Sequence, residues 1–175
     1  MVVFFVSCVF RAYGPNFDVD RFLIKSTLSP CAVWHKGEPR FGAGGPTREH
    51  SGLNADVSDA GRDDLDRQIK DAMKFSRQYR SDIRRLSLNP KVTFAFFDFG
   101  VRRRQDLPMQ GAYFPAALIR SAGAMRVDLK VVKFDHEEIL NNQRLVMLDE
   151  LAPTFRRLVD FVVEDARRKR EESAS

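Results

Sequence analysis

The chain is poor in the residues that most often anchor chemistry: 175 residues hold two cysteines, three histidines and one tryptophan. Cys8 and Cys31 sit among apolar neighbours and read as small buried hydrophobes in a reducing compartment. The strands that carry them could pair and oxidise, but nothing requires it. A thiol catalyst needs a histidine and an orienting group, and His35, His50 and His136 fall in no recognisable pattern with either cysteine. No uninterrupted apolar run approaches the ~20 residues that cross a bilayer. The apolar start, Met1 to Phe10, lacks a basic stretch before it and a small-x-small cleavage site after it. It reads as a buried strand, and the expected location is cytoplasmic.

What is present describes a globular protein. Hydrophobic residues make up 43% and charged residues 30%, with 15 phenylalanines, too apolar for a disordered chain and too charged for a membrane protein. Lys and Arg total 29 against 24 acids, a net charge of +5. That sign permits nucleic acid, acidic lipid or an acidic protein as partner, although many proteins carry as much for solubility alone.

Residues 2–11 are rich in Val and Phe on both alternating faces, as a central strand would be, and Tyr13-Gly14-Pro15-Asn16 reads as a turn. Asn16 or Asp18 can cap a short helix through Phe22 and Leu23. Cys31 to Lys36 reads as a short strand, and Gly37 to Gly52 as a glycine-rich loop, mobile or ordered by a partner. Leu53, Ala55 and Val57 alternate as a third strand. Leu65, Ile69, Ala72, Ser76, Tyr79, Ile83 and Leu86 recur at steps of three and four, which predicts one amphipathic helix over residues 63–86. Lys91 to Phe99 follows as a strand whose aromatics look buried. Phe114 to Ala122 reads as a helix stopped by Gly123, and Met125 to Val131 as a half-buried strand. Two further amphipathic helices and a basic tail follow Asp135.

The order β-α-β-β-α-β, then α-β, predicts an α+β fold. Its expected core is ferredoxin-like, with an antiparallel or mixed sheet, helices on one face, and C-terminal helices added. The expected division is a core domain over residues 1–135 and a helical extension with a basic tail over residues 136–175.

Phe17-Asp18-Val19-Asp20 and Trp34-His35-Lys36-Gly37-Glu38-Pro39 together resemble a bacterial family designated domain of unknown function number 4279, over about residues 2–135. The family resembles this chain in an opening strand, a short Asp-led helix and a Trp-x-Lys-Gly segment before a variable loop. A long amphipathic helix and aromatic strands follow. The long loop from Gly37 to Gly52 and the extension after Asp135 depart from the family's core. The resemblance implies a fold and brings no established reaction. Some small bacterial families of this kind serve as immunity or antitoxin-like partners, an analogy that rests on no residue.

Several clusters invite a chemical reading. Trp34, His35, Lys36, Glu38 and Arg40 concentrate polar groups beside the glycine-rich loop, where an exposed tryptophan with cations would anchor a protein or anionic ligand. The plainer alternative packs Trp34 in the core and leaves Lys36 and Arg40 solvated. Gly42-Ala43-Gly44-Gly45-Pro46-Thr47 lacks the Gly-Lys-Ser/Thr ending of a phosphate loop, so nucleotide binding there is rejected. His35, Glu38, Glu49 and His50 show no metal-ligand spacing, and no metal or cofactor is expected. Asp98 and Asp106 are a weak carboxylate pair, because nothing in the sequence sets the gap between them.

Two surfaces remain. Phe155, Leu158, Val159 and Val162 form an apolar stripe suited either to the sheet or to a partner. Arg102, Arg103 and Arg104, with Arg167, Arg168, Lys169 and Arg170, would make a basic surface for nucleic acid if brought together. With no catalytic constellation, the expectation is a non-catalytic protein-interaction module, immunity- or antitoxin-like, whose partner is another protein or a second copy of the chain. A nucleic-acid-associated protein using the arginine clusters is the alternative, and no membrane partner is expected.

Overall fold

A computed structural model describes residues 7–40, 45–103 and 110–134, and shows a mixed α+β fold. Its elements are β1 (Cys8–Gly14), α1 (Val19–Leu23), β2 (Ala32–Trp34), β3 (Ser51–Ser58), α2 (Leu65–Gln78), α3 (Arg80–Ser87), β4 (Phe94–Arg102), α4 (Ala116–Met125) and β5 (Asp128–Phe134). They build one five-stranded sheet in the order β2-β3-β1-β4-β5, in which β1 pairs antiparallel with both β3 and β4, and β2 antiparallel with β3. β3 therefore lies between β1 and β2, and β1 between β3 and β4. No described helix is long and apolar enough to cross a membrane.

The alternation along β1 sorts its side chains. Cys8, Phe10 and Ala12 are fully buried on one face, while Val9, Arg11 and Tyr13 are half-buried on the other. On the first face they join Leu53 and Ala55 of β3 and Ala95, Phe97 and Phe99 of β4 in one apolar cluster. The helices seal it with Phe22, Ile69, Ala72, Phe75, Ile83, Leu86, Leu118 and Met125. Phe97 is its centre, with ring centroids 5.3 Å from Phe10, 6.2 Å from Phe75 and 6.4 Å from Phe99. Gln68, buried on α2, donates from Nε2 to the carbonyls of Gly61 at 3.2 Å and Gly100 at 3.0 Å, tying that helix to β4.

The single helix expected over residues 63–86 is two. Tyr79 leaves helical geometry at φ −108° and ψ 22°, although its N–H still bonds Phe75 and its carbonyl still accepts from Ile83. Its ring packs 4.7 Å from that of Phe75. Beyond the bend, Asp82 accepts from the Thr27 N–H at 2.8 Å, the Thr27 hydroxyl at 2.7 Å and Arg85 at 2.9 Å. Burial alone would raise its pKa, but the Thr27 donors and Arg85 outweigh it and hold this carboxyl below the usual range.

Other boundaries shift too. Tyr13 and Gly14 continue β1 rather than turning, and residues 1–6 of the expected first strand lie outside the described residues. Gly123 lies inside α4, which ends instead at Arg126 in the left-handed conformation (φ 55°) because Met125 and Val127 on either side are both drawn into the core. Cys8 is buried as expected, but Cys31 is exposed, since it leads into an edge strand; both are free thiols. The extension expected over residues 136–175 lies outside the described residues, with Phe155, Leu158, Val159, Val162 and Arg167 to Arg170.

Candidate functional site

The second face of the sheet carries the candidate site. Strand register aligns Trp34 with Gly52, Gly52 with Tyr13 and Tyr13 with Phe94, so one row crosses β2, β3, β1 and β4. The next row runs from Ala32 through Asn54 and Arg11 to Phe96. Side chains that alternate along separate strands thereby meet on one surface.

Gly52 is the point on which the first row turns. A Cβ there would stand 2.5 Å from Tyr13 Cβ, 2.6 Å from Trp34 Cζ2 and 2.7 Å from the Ala12 carbonyl oxygen. The missing side chain lets the indole lean across β3 toward Tyr13. Tyr13 in turn lies 5.1 Å from Phe94, 6.1 Å from Phe96 and 5.7 Å from the His50 ring, all between ring centroids. Phe94 is 46% exposed, so its ring is available to a partner, and Trp34, Tyr13 and His50 are half-buried.

Cations frame the rings. The Arg48 guanidinium lies 5.3 Å above Trp34 and the Lys130 ammonium 5.4 Å above Phe96. Arg11 is held between β4 and β3: Nε donates to Asp98 Oδ2 at 2.9 Å, and Nη1 to the Asn54 amide oxygen. These groups, with Arg40 and Glu49, line a depression of about 540 Å³, to which no described helix contributes a residue. Its four cations outnumber its two carboxylates, and Arg11 and Asp98 neutralise each other.

The segment expected as a loop from Gly37 to Gly52 supplies much of this edge. Gly37 turns at φ 89°, a left-handed geometry that suits glycine, and its N–H bonds the Arg48 carbonyl at 2.8 Å. Arg48 N–H returns to Glu38 at 2.8 Å, Arg40 N–H bonds Pro46 at 2.9 Å, and Pro39 bridges Thr47. The chain here is a paired arm, with Ser51 and Gly52 already in β3; residues 41–44 lie outside the described residues.

Of the five residues singled out around Trp34, the structure brings Trp34 and Arg40 to the site and turns the others elsewhere. The alternative that packs Trp34 in the core gives way to a half-buried ring on the opposite face. Lys36 is exposed, its N–H donating to Ser51 Oγ at 3.0 Å. His35 and Glu38 form a clasp with α1: His35 Nδ1 meets Glu38 Oε1 and His35 Nε2 meets Asp20 Oδ2, each at 2.9 Å. Bonding to Glu38 and then Asp20 raises the His35 pKa, while the His35 backbone N–H and ring lower that of Glu38. A raised histidine makes the clasp complete below the ordinary pKa near 6.5 and lost as pH rises through the elevated folded value. Ring-proton NMR should therefore place His35 above 6.5, and Glu38→Gln should bring it down. A value at or below 6.5 in the parent protein would remove the clasp.

Arg102 is ion-paired with Asp63 at 3.2 Å and Arg103 is exposed, while Arg104 lies outside the described residues. Asp98 grips Arg11, and Asp106, its supposed partner, also lies outside them. Arg11, Tyr13, Arg48 and Lys130 carry no site reading in the sequence. His50 enters it only in a rejected set of metal ligands, and Phe94 only as a strand aromatic expected to be buried, which its exposure corrects. Alternation puts Val9 with Arg11 and Phe94 with Phe96 on one face of each strand, but Tyr13 reads as a turn in the sequence, and only the register joins the row. Comparison with family models, with curated proteins and with solved structures returned no match.

Proposed function

We propose that this chain is a non-catalytic binding module whose working surface is the sheet face opposite the helices. The observation that carries this reading is the row Trp34, Gly52, Tyr13 and Phe94, with Phe94 46% exposed and cations over the neighbouring rings. Aromatic side chains gathered on a shallow surface are what recognition uses, because large groups with few rotatable bonds bind at small entropic cost, and the arginines add charge. The reading keeps the expected interaction module and moves its surface from the C-terminal stripe to the sheet. It takes the core as ferredoxin-like, supported by the order β2-β3-β1-β4 with antiparallel neighbours. It keeps the resemblance to domain of unknown function number 4279, carried by Asp18 to Asp20 and Trp34 to Pro39, and the cytoplasm as the working compartment.

Photo-crosslinking in the native host tests the surface. Benzoyl-phenylalanine in place of Phe94 is expected to give discrete intermolecular adducts. The same group in place of Ile24, which is 82% exposed at the end of α1, should give none. Adducts from position 24 alone, or a position-94 adduct formed within the chain itself, would overturn the reading.

A further inference from the structure

Resting on that reading of the sheet face, we propose that its occupant is a single-stranded nucleic acid. Its bases stack on Trp34, Tyr13 and Phe94, and its phosphates meet Arg40, Arg48 and Lys130.

Charge and composition select this occupant. Half of the residues lining the depression are charged, whereas the centre of a protein–protein interface is depleted in charge. The only aliphatic side chain in the lining is that of Ala32, so there is little for an apolar partner core to bury against. What the surface offers is flat π-faces in a row with a surplus of cations around them. A base presents a π-face whatever its identity, and a phosphodiester backbone presents one negative charge per nucleotide, so both halves of the ligand find their complement. Duplex nucleic acid hides its base faces in the stack, whereas unpaired bases are free to splay onto the rings of the sheet.

The cations are placed for this without first breaking an ion pair. Arg48 and Lys130 lie over rings; the Glu38 carboxylate feels the Arg48 charge but takes its ion pair from His35. Arg48 can swing from the indole to a phosphate while a base takes the vacated face of Trp34; Lys130 lies over the buried Phe96 and meets a phosphate only. Arg11, neutralised by Asp98 and tied to Asn54, is instead a fixed floor beneath the rows. The occupant thus meets an ion-paired Arg11 at the centre and cations seated over rings at the rim.

Fluorescence anisotropy on the full chain tests the inference, with a fluorescein-labelled RNA of mixed sequence about ten nucleotides long, a length within the span of single-strand binding sites. The single strand is expected to bind more tightly than the same sequence in duplex. Phe94→Ala and Tyr13→Ala should each weaken it roughly tenfold, the loss of one stacked base. The double change Arg48→Ala and Lys130→Ala should weaken binding and flatten the dependence of log affinity on log salt by about 0.7 per cation removed. Phe94 is nearly half exposed, so its variant reports binding even where Tyr13→Ala perturbs folding.

No binding, equal binding of duplex, or affinity that ignores Phe94→Ala and falls only when Arg167 to Arg170 become alanine would overturn the inference. So would a dimer in solution that Phe94→Ala returns to monomer. The two readings fail separately: a protein adduct from position 94 with no affinity for RNA removes the nucleic acid and keeps the binding face. Adducts from position 24 alone remove the face itself.

Discussion

Phe97→Ala is expected to cost about 3–5 kcal/mol of folding stability, the usual penalty for emptying a buried aromatic site. Phe97 has no exposed surface and packs on Phe10, Phe75 and Phe99, so its removal leaves a cavity walled by rings from β1, β4 and α2. Those rings are held by separate elements and collapse only in part. Set against a total stability of about 5–15 kcal/mol, the loss is large enough to unfold a fraction of the protein at physiological temperature. Urea unfolding followed by far-ultraviolet circular dichroism measures it, and Phe97→Leu, which keeps most of the volume, should cost under about 1.5 kcal/mol. Phe94 lies on the same strand with 46% of its surface exposed, and Phe94→Ala should stay within about 1 kcal/mol of the parent. Equal losses at the two positions would mean that the strand's faces are not divided between core and open surface.

Gly52→Ala is the second large effect, expected to destabilise by about 1–3 kcal/mol through overpacking. The added carbon would meet Trp34, Tyr13 and the Ala12 carbonyl oxygen all within 2.7 Å, and one of these is backbone in the middle of the sheet. The indole is the neighbour freest to yield, because β2 is a three-residue edge strand. Trp34 is the chain's only tryptophan, so its fluorescence reports the displacement without interference. A red-shifted emission with a lower urea midpoint is the expected result, and weakened binding at the aromatic row should accompany it. Parent-like fluorescence and stability together would show that the indole does not rest on Gly52.

Much of this was legible before any coordinates. The alternation of Cys8 and Phe10 against Val9 and Arg11 assigns sides along the start of β1, though not the continuation through Tyr13, and the three-and-four spacing from Leu65 to Leu86 assigns the buried stripe of α2 and α3. Of the two caps the sequence offers, Asn16 and Asp18, Asp18 is the one used, its Oδ1 accepting from the Arg21 N–H at 3.0 Å. These are local matters, fixed by periods of two and 3.6 residues and by side chains a few positions apart. The bend at Tyr79 was not legible, because the stripe keeps its spacing through it; the departure arises where the Phe75 and Tyr79 rings pack and Asp82 turns to Thr27.

The candidate site divides along the same line. Trp34 and Arg40 were chosen because they stand together in sequence, and the neighbours chosen with them, His35 and Glu38, turned out to bind each other and Asp20. Arg11, Tyr13, Arg48, Phe94 and Lys130 are spread over three strands and an arm, and nothing in their local sequence joins them.

The α+β class, the alternating faces of the strands and the buried stripe of the helices can be read from the chain alone, because each follows from a short-range period that burial must respect. That Trp34, Tyr13 and Phe94 form one row framed by cations comes from the folded sheet. Strand order and register are set by long-range pairing, and a shift of one residue would have sent every one of those rings to the other face.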